Sequence, residues 1–176
     1  MLESFSVKDK VIIITGALGL LGSTYTEGFS QGGASVVIID LNGDLCTTRA
    51  EEISRKYGTR PLGIGCDITD KEEVERMTQR VISKYSRIDV LINNAATQPE
   101  RFFTPFEEYS LDDWDEVMRV NVTGMFLCSQ AVVKEMKKDR KGSIVNMASI
   151  YGVVAPDQRI YQGAVYHDRQ INTPLV

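Results

Sequence analysis

The stretch from Val11 to Gly22, VIIITGALGLLG, constrains this chain more than any other. Val11, Ile12, Ile13 and Ile14 make a continuous β-branched run between Lys10 and the Thr15-Gly16 turn, so they read as a short strand buried on both faces. Glycines at 16, 19 and 22 then lead straight into a helical pattern. Backbone N–H groups and a helix N-terminus converge there on one point, which suits a pyrophosphate. A second apolar run, Ser35 to Ile39, ends in Asp40, 18 residues past Gly22. A carboxylate at that strand end accepts hydrogen bonds from an adenosine ribose and repels a 2′-phosphate, so the expected cofactor is NAD rather than NADP.

Strand and helix signals alternate down the rest of the chain. Leu21, Tyr25 and Phe29 recur at helical spacing from Leu20 to the Gly32-Gly33 stop. Asn42-Gly43-Asp44 opens a charged amphipathic helix that runs through Tyr57 to Gly58, and Pro61 to Cys66 is a third strand candidate closing on Asp67. Thr69 with Glu72 reads as a capping box for a helix whose buried face is Val74, Met77, Val81 and Ile82. Ile88 to Ile92 is strand four. The composition shifts from Ala95 to Leu111, giving a loop over the carboxyl ends of the strands or a partly ordered flap. Two helical segments follow, Asp112 to Arg119 and Asn121 to Lys138, the second with Met125, Phe126, Ala131, Val132, Val133 and Met136. Ser143 to Met147 is a fifth strand. Such βα alternation with short connections predicts an α/β fold, a Rossmann-type doubly wound parallel sheet. Residues 1–151 form the dinucleotide-binding domain in this reading, and 152–176 an irregular tail.

A length of 176 residues suits one such domain. With 24 acidic against 20 basic residues the net charge is -4, which argues against nucleic acid or an anionic membrane and for a small-molecule substrate. Cys46, Cys66 and Cys128 are odd in number and widely spaced, with one histidine in the chain, as expected of reduced thiols in a cytoplasm and of no metal site. No apolar run approaches a membrane span.

The order of motifs closely resembles the short-chain dehydrogenase/reductase family: TGALGLLG at 15–22, Asp40, CDI at 66–68, NNAA at 93–96, NVTG at 121–124 and SIVNMAS at 143–149. The resemblance implies a Rossmann fold, a nicotinamide cofactor and carbonyl/alcohol chemistry. It places Gly16, Gly19 and Gly22 at the pyrophosphate with Leu20 and Leu21 beside them, and Asp40 and Leu41 at the adenosine ribose. Asp67 and Ile68 would line the adenine, while Asn94, Ala95 and Ala96 would lie under the second ribose. One departure is local: the middle glycine is at 19, whereas the branch with otherwise similar motifs has it where Leu20 stands, and the spacing is nearer that of epimerase-like relatives. Asn121 and Ser149 match the catalytic set, Asn121 holding a proton-relay water and Ser149 donating to the substrate oxygen. The plain structural alternatives are a helix cap for Asn121, a strand-end turn for Ser149 and a helix-capping acid for Asp67.

The family's acid/base tyrosine is followed four residues on by a lysine that lowers the phenol's pKa. No tyrosine here has that partner: Tyr151 is followed by Ala155, Tyr161 by Val165 and Tyr166 by Gln170. Tyr161 lies 12 residues past Ser149, near the family's spacing, but without a cation. The segment SIYGVVAPDQRIYQG resembles a narrower bacterial group associated with sialic-acid-like sugars and flagellin glycosylation, and NTPLV resembles the stretch that precedes the tyrosine there. The expectation is therefore an NAD-binding oxidoreductase on a sugar or sugar nucleotide, truncated after about the fifth strand, with His167 in an exposed loop. Strand five would then be an open edge and the product marginally stable. The family's helix at Asn121 implies a homo-oligomer in the intact enzyme. A non-catalytic dinucleotide-binding or interaction module and an epimerase-like relative are the alternatives.

Overall fold

The computed structural model describes residues 6–155, 157–166 and 169–170. The expectations for His167 and for NTPLV lie outside these residues.

Strand β1 (Val11–Thr15) is buried at all five positions and forms the middle of a five-stranded parallel sheet. On one side it pairs with β2 (Ser35–Asp40), Val11 opposite Ser35 and Thr15 opposite Ile39; β2 then pairs with β3 (Leu62–Gly65). On the other side β4 (Val90–Asn93) pairs with β1, and β5 (Ser143–Asn146) with β4. The order β3-β2-β1-β4-β5 reverses direction between β1 and β4, which opens a crevice beyond their carboxyl ends.

Because side chains alternate along a strand, the sheet divides the core in two. Ile12, Ile14, Val36 and Ile38 pack with Ala34, Cys46 and Ile53 under helices α1 (Leu20–Gln31) and α2 (Gly43–Tyr57). Ile13, Val37, Ile39 and Leu91 pack with Val74, Met77, Val81, Cys128 and Val132 under α3 (Lys71–Tyr85) and α5 (Met125–Asp139). Each fully buried Ile or Val contributes roughly 2 kcal/mol by transfer from water. Gly63 lets α2 lie directly on β3: a Cβ there would stand 2.2 Å from the Cys46 carbonyl oxygen.

Several local expectations are corrected. Helix α1 buries Gly22, Thr26 and Ser30, with Tyr25 and Phe29 half-buried and Leu21 exposed, because α1 rests against the sheet on its small residues. The cap of α3 is Asp70, not Thr69: its carboxylate accepts from the Glu72 and Glu73 N–H groups at 2.8 and 3.0 Å, while the Glu73 carboxylate reaches back to the Asp67 N–H. The two helical segments expected around residue 120 are joined without a break. Helix α4 (Leu111–Met118) passes through a π-helical turn (Arg119–Gly124) into α5, so Asn121 sits inside this turn rather than at a helix start. Along α5 Ala131, Val132 and Met136 are buried, whereas Phe126 and Val133 face outward. Among the described residues after β5 there are short 3-10 turns and a two-residue antiparallel pair, Val165–Tyr166 with Arg169–Gln170.

Candidate cofactor cleft

Gly16 adopts φ +63°, a conformation that favours glycine, and turns the chain off β1. A Cβ at Gly16 would come within 2.7 Å of the Ala95 Cα, and one at Gly22 within 2.2 Å of the Gly16 carbonyl oxygen. These two glycines let β1, the turn, α1 and the end of β4 approach one another. Gly19 is the N-cap of α1, in extended backbone, and Leu20 is the first helical residue with its side chain 88% exposed. The shifted middle glycine is thus accommodated: the side chain at position 20 stays exposed at the rim of the cleft.

The Thr15 hydroxyl accepts from the Asn94 and Ala95 N–H groups at 3.0 and 3.1 Å, and the Asn94 amide donates to the Thr15 and Gly16 carbonyls at 2.9 and 3.1 Å. These bonds clamp the ends of β1 and β4 together. Asp40 braces the turn from β2, one carboxylate oxygen accepting from the Leu18 N–H at 3.0 Å and the other from its neighbour Leu41 at 2.9 Å. Each oxygen keeps a further lone pair for an incoming hydroxyl.

Between these groups lies a cleft of about 850 Å³, within the range of small-molecule sites. All of Gly16, Gly19, Leu20, Leu21, Gly22, Asp40, Leu41, Asp67, Ile68, Asn94, Ala95 and Ala96 line it. The glycine turn, the helix N-terminus without a side-chain cap and the acid at the end of β2 fit a dinucleotide: N–H donors for a pyrophosphate and an acceptor for a ribose. Asp67 has a structural task as well, since its carboxylate accepts from both the N–H and the hydroxyl of Thr69 at 2.8 Å. The buried Cys66 thiol also borders the cleft; burial first, then the Glu73 and Asp67 carboxylates, push its pKa up to about 12, so it stays protonated.

Asn121 and Ser149 stand outside this lining. The Asn121 side-chain oxygen accepts from the Thr97 N–H at 2.9 Å, and Thr97 in turn donates its hydroxyl to Glu116 at 2.9 Å, tying the loop after β4 to α4 and the π-helical turn. The Ser149 hydroxyl accepts from the Tyr151 N–H at 3.1 Å, a strand-end turn. The Tyr151 and Tyr161 hydroxyls are 2.6 Å apart, and that bond to Tyr161 raises the Tyr151 pKa.

The lining also includes Leu18, Leu45, Thr69, Thr97, Glu116, Arg119 and Val120, which the motifs did not single out. Thr97 directly follows NNAA, and Arg119 and Val120 directly precede NVTG, so their places beside those motifs were the available signal. Among the described residues there is no cluster of potential metal ligands, and no helix is long and apolar enough to cross a membrane.

A family model described as short chain dehydrogenase matches residues 10–166. D-threitol dehydrogenase of Mycolicibacterium smegmatis is 35% identical over 89% of this chain and 58% of its own length. NAD-dependent glycerol dehydrogenase of Listeria innocua is 34% identical over 90% of this chain and 59% of its own. The crystal structure of NAD+-bound xylitol dehydrogenase superposes with a TM-score of 0.79 at 32% identity, covering 85% of this chain and 56% of that one. The chain thus spans under two thirds of the length of each of these three proteins.

Proposed function

The chain belongs to the short chain dehydrogenase family, and from that premise we propose that its cleft binds NAD in the service of carbonyl/alcohol oxidoreduction on a polyol, sugar or sugar nucleotide. The observation that carries this reading is the joining in one cleft of the Gly16–Gly22 turn, Asp40 and Asn94, at the carboxyl ends of three adjacent strands. When bound, the nicotinamide supplies the hydride acceptor or donor. Gly16, Gly19 and Gly22 admit the pyrophosphate to the N–H groups opening α1. Asp40 takes the adenosine ribose hydroxyls and repels a 2′-phosphate, while Asp67 and Ile68 line the adenine. Asn94, Ala95 and Ala96 support the nicotinamide ribose. Asn121 and Ser149 serve the reacting end, Ser149 by donating to the substrate oxygen. Polyol and sugar alcohols are favoured by the names of three relatives, the threitol, glycerol and xylitol dehydrogenases; a sialic-acid-like sugar is the narrower choice that the segment at 149–163 suggests.

A second reading, a dinucleotide-binding module without turnover, is favoured by Asn121 and Ser149 standing outside the cleft lining, where each holds a backbone N–H group instead. Both readings predict binding, and one protocol separates them. NADH fluorescence titration of the 176-residue chain is expected to saturate, to weaken about tenfold or more in Asp40→Ala through loss of charge-assisted hydrogen bonds, and to discriminate against NADPH. Absence of saturation would sink both readings. Turnover of threitol, glycerol, xylitol or a sialic-acid-like sugar by this chain would remove the second.

A further inference from the structure

Cations are nearly absent from the cleft. Asp40, Asp67 and Glu116 line it, and Arg119 is the sole basic side chain among the lining residues. Arg119 is exposed, and among the described residues its guanidinium enters no hydrogen bond or ion pair. Glu116, one helical turn earlier, is instead engaged by the Thr97 hydroxyl at 2.9 Å. The guanidinium is therefore available to whatever fills the cleft.

Its place along the cleft follows from what anchors its helix. Upstream, Glu116 is tied to Thr97 beyond β4. Downstream, Gly124 closes the π-helical turn against Ile68 beyond β3, where a Cβ would stand 2.7 Å from the Ile68 side chain. Arg119 sits between these anchors, on the wall facing the glycine turn rather than on the turn itself. Next to it Val120 packs on the core with Ile68 and Cys66, so the neighbouring wall is apolar. A phosphate there would share its surroundings with the Asp67 and Glu116 carboxylates, whereas the face of a neutral heteroaromatic ring would not be repelled and is attracted to a guanidinium.

Resting on the dinucleotide reading above, we propose that Arg119 is a further cofactor-binding residue, whose guanidinium stacks on the adenine ring from the wall that also carries Ile68. It acts on the adenine and not on the pyrophosphate. The helix that carries it thereby becomes one jaw of the adenine slot.

The test compares the unsubstituted chain, Arg119→Met and Arg119→Lys for binding of NADH, ADP-ribose, adenosine and reduced nicotinamide mononucleotide, by calorimetry for the tight ligands and ligand-observed NMR for the weak ones. Arg119→Met is expected to raise Kd about tenfold for NADH, ADP-ribose and adenosine alike, and to leave the mononucleotide, which has no adenine, within about twofold. Arg119→Lys, which keeps the charge but not the planar face, falls between. A loss for NADH and ADP-ribose with adenosine unchanged would assign Arg119 to phosphate and overturn the proposal; so would an equal loss for the mononucleotide, or no change in the Met variant. Thermal melts of the three proteins without ligand are expected to coincide, and a shared drop in Tm and in binding of all four ligands counts against the proposal. Failure of the unsubstituted chain to bind any adenine ligand overturns the dinucleotide reading and this inference with it, while normal binding by that chain and by Arg119→Met overturns this inference alone.

Discussion

Strands β2 and β5 are built from similar residues, SVVIID and SIVN, yet they live in different surroundings. Val36, Val37, Ile38 and Ile39 are fully buried between two layers of helices, with β1 and β3 paired on either side. Val145 in β5 is 42% exposed, and β5 pairs with β4 alone among the described residues. The same contrast runs through the helices: α2 is pinned to β3 by backbone contact at Gly63, whereas α5 turns Phe126 and Val133 outward. β-branched residues make a strand core only when both faces and both edges are covered. Among the described residues both β3 and β5 end the sheet, but β3 lies under α2 and the β3-β2-β1 side is a covered wall for the cleft, whereas β5 is an exposed edge.

The sharpest way to break that comparison is a pair of truncations measured by urea unfolding. Ile38→Ala is expected to cost about 3–4 kcal/mol, the transfer and cavity terms of a fully buried side chain. Val145→Ala is expected to cost under about 1 kcal/mol, because little of the removed surface is buried and no closed cavity is left. Similar values would mean that the edge is as well packed as the wall. Next in size, Gly22→Ala drives a Cβ into the Gly16 carbonyl oxygen and is expected to lose about 3 kcal/mol of stability and NADH binding together; normal binding would show that the turn can shift.

A smaller effect concerns the covered side alone. Glu27 of α1 accepts from Lys56 at 2.8 Å, from Tyr57 and from Arg49 at 2.6 Å, all three on α2. Lys56 first, then Tyr57 and Arg49, hold its carboxyl at about 2 against the usual 4.5. A depressed carboxylate pKa means that the contribution is complete above the unfolded value and is lost as pH falls from about 4.5 through about 2. Glu27→Gln is expected to cost no more than about 1 kcal/mol at neutral pH once solvent screening is allowed for. The gap to the parent should close over that acid window, and a gap that persists there would show the effect to be packing rather than charge.

The last comparison is between thiols. Burial, as the largest cause, raises Cys46 to about 11 and Cys66 and Cys128 to about 12. None should react with a disulfide reagent at pH 8 while folded. If the layer next to β5 opens more often, Cys128 will label before Cys46 as urea is raised toward the transition. Labelling in the reverse order would contradict the contrast drawn between the two sides.

Much of the cleft was legible in sequence because its parts are local. A strand, a glycine turn and a helix start are contiguous in Val11–Gly22, and an acid at a strand end marks Asp40. Every cofactor residue so expected lines the cleft. Thr97, Glu116 and Arg119 were not legible as a group, since they meet the cleft only through the docking of α4 and the π-helical turn across the ends of β4 and β3. The cap of α3 lies one residue past Thr69 because Thr69 and Asp70 are both good caps, and the Thr69 hydroxyl is taken up by Asp67 while the Asp70 carboxylate accepts from the Glu72 and Glu73 N–H groups.

What the amino-acid order determined by itself was periodicity and punctuation: the parallel α/β fold, the glycine turn at position 16, and the carboxylate of Asp40 at the end of β2. Tertiary structure alone decided which apolar faces are covered and which side chains share the cleft. It did so because the exposure of Val145 and Phe126, and the sharing of one cleft by Arg119 and Ile68, depend on which residues distant in the chain are packed side by side, and no local propensity encodes that distance.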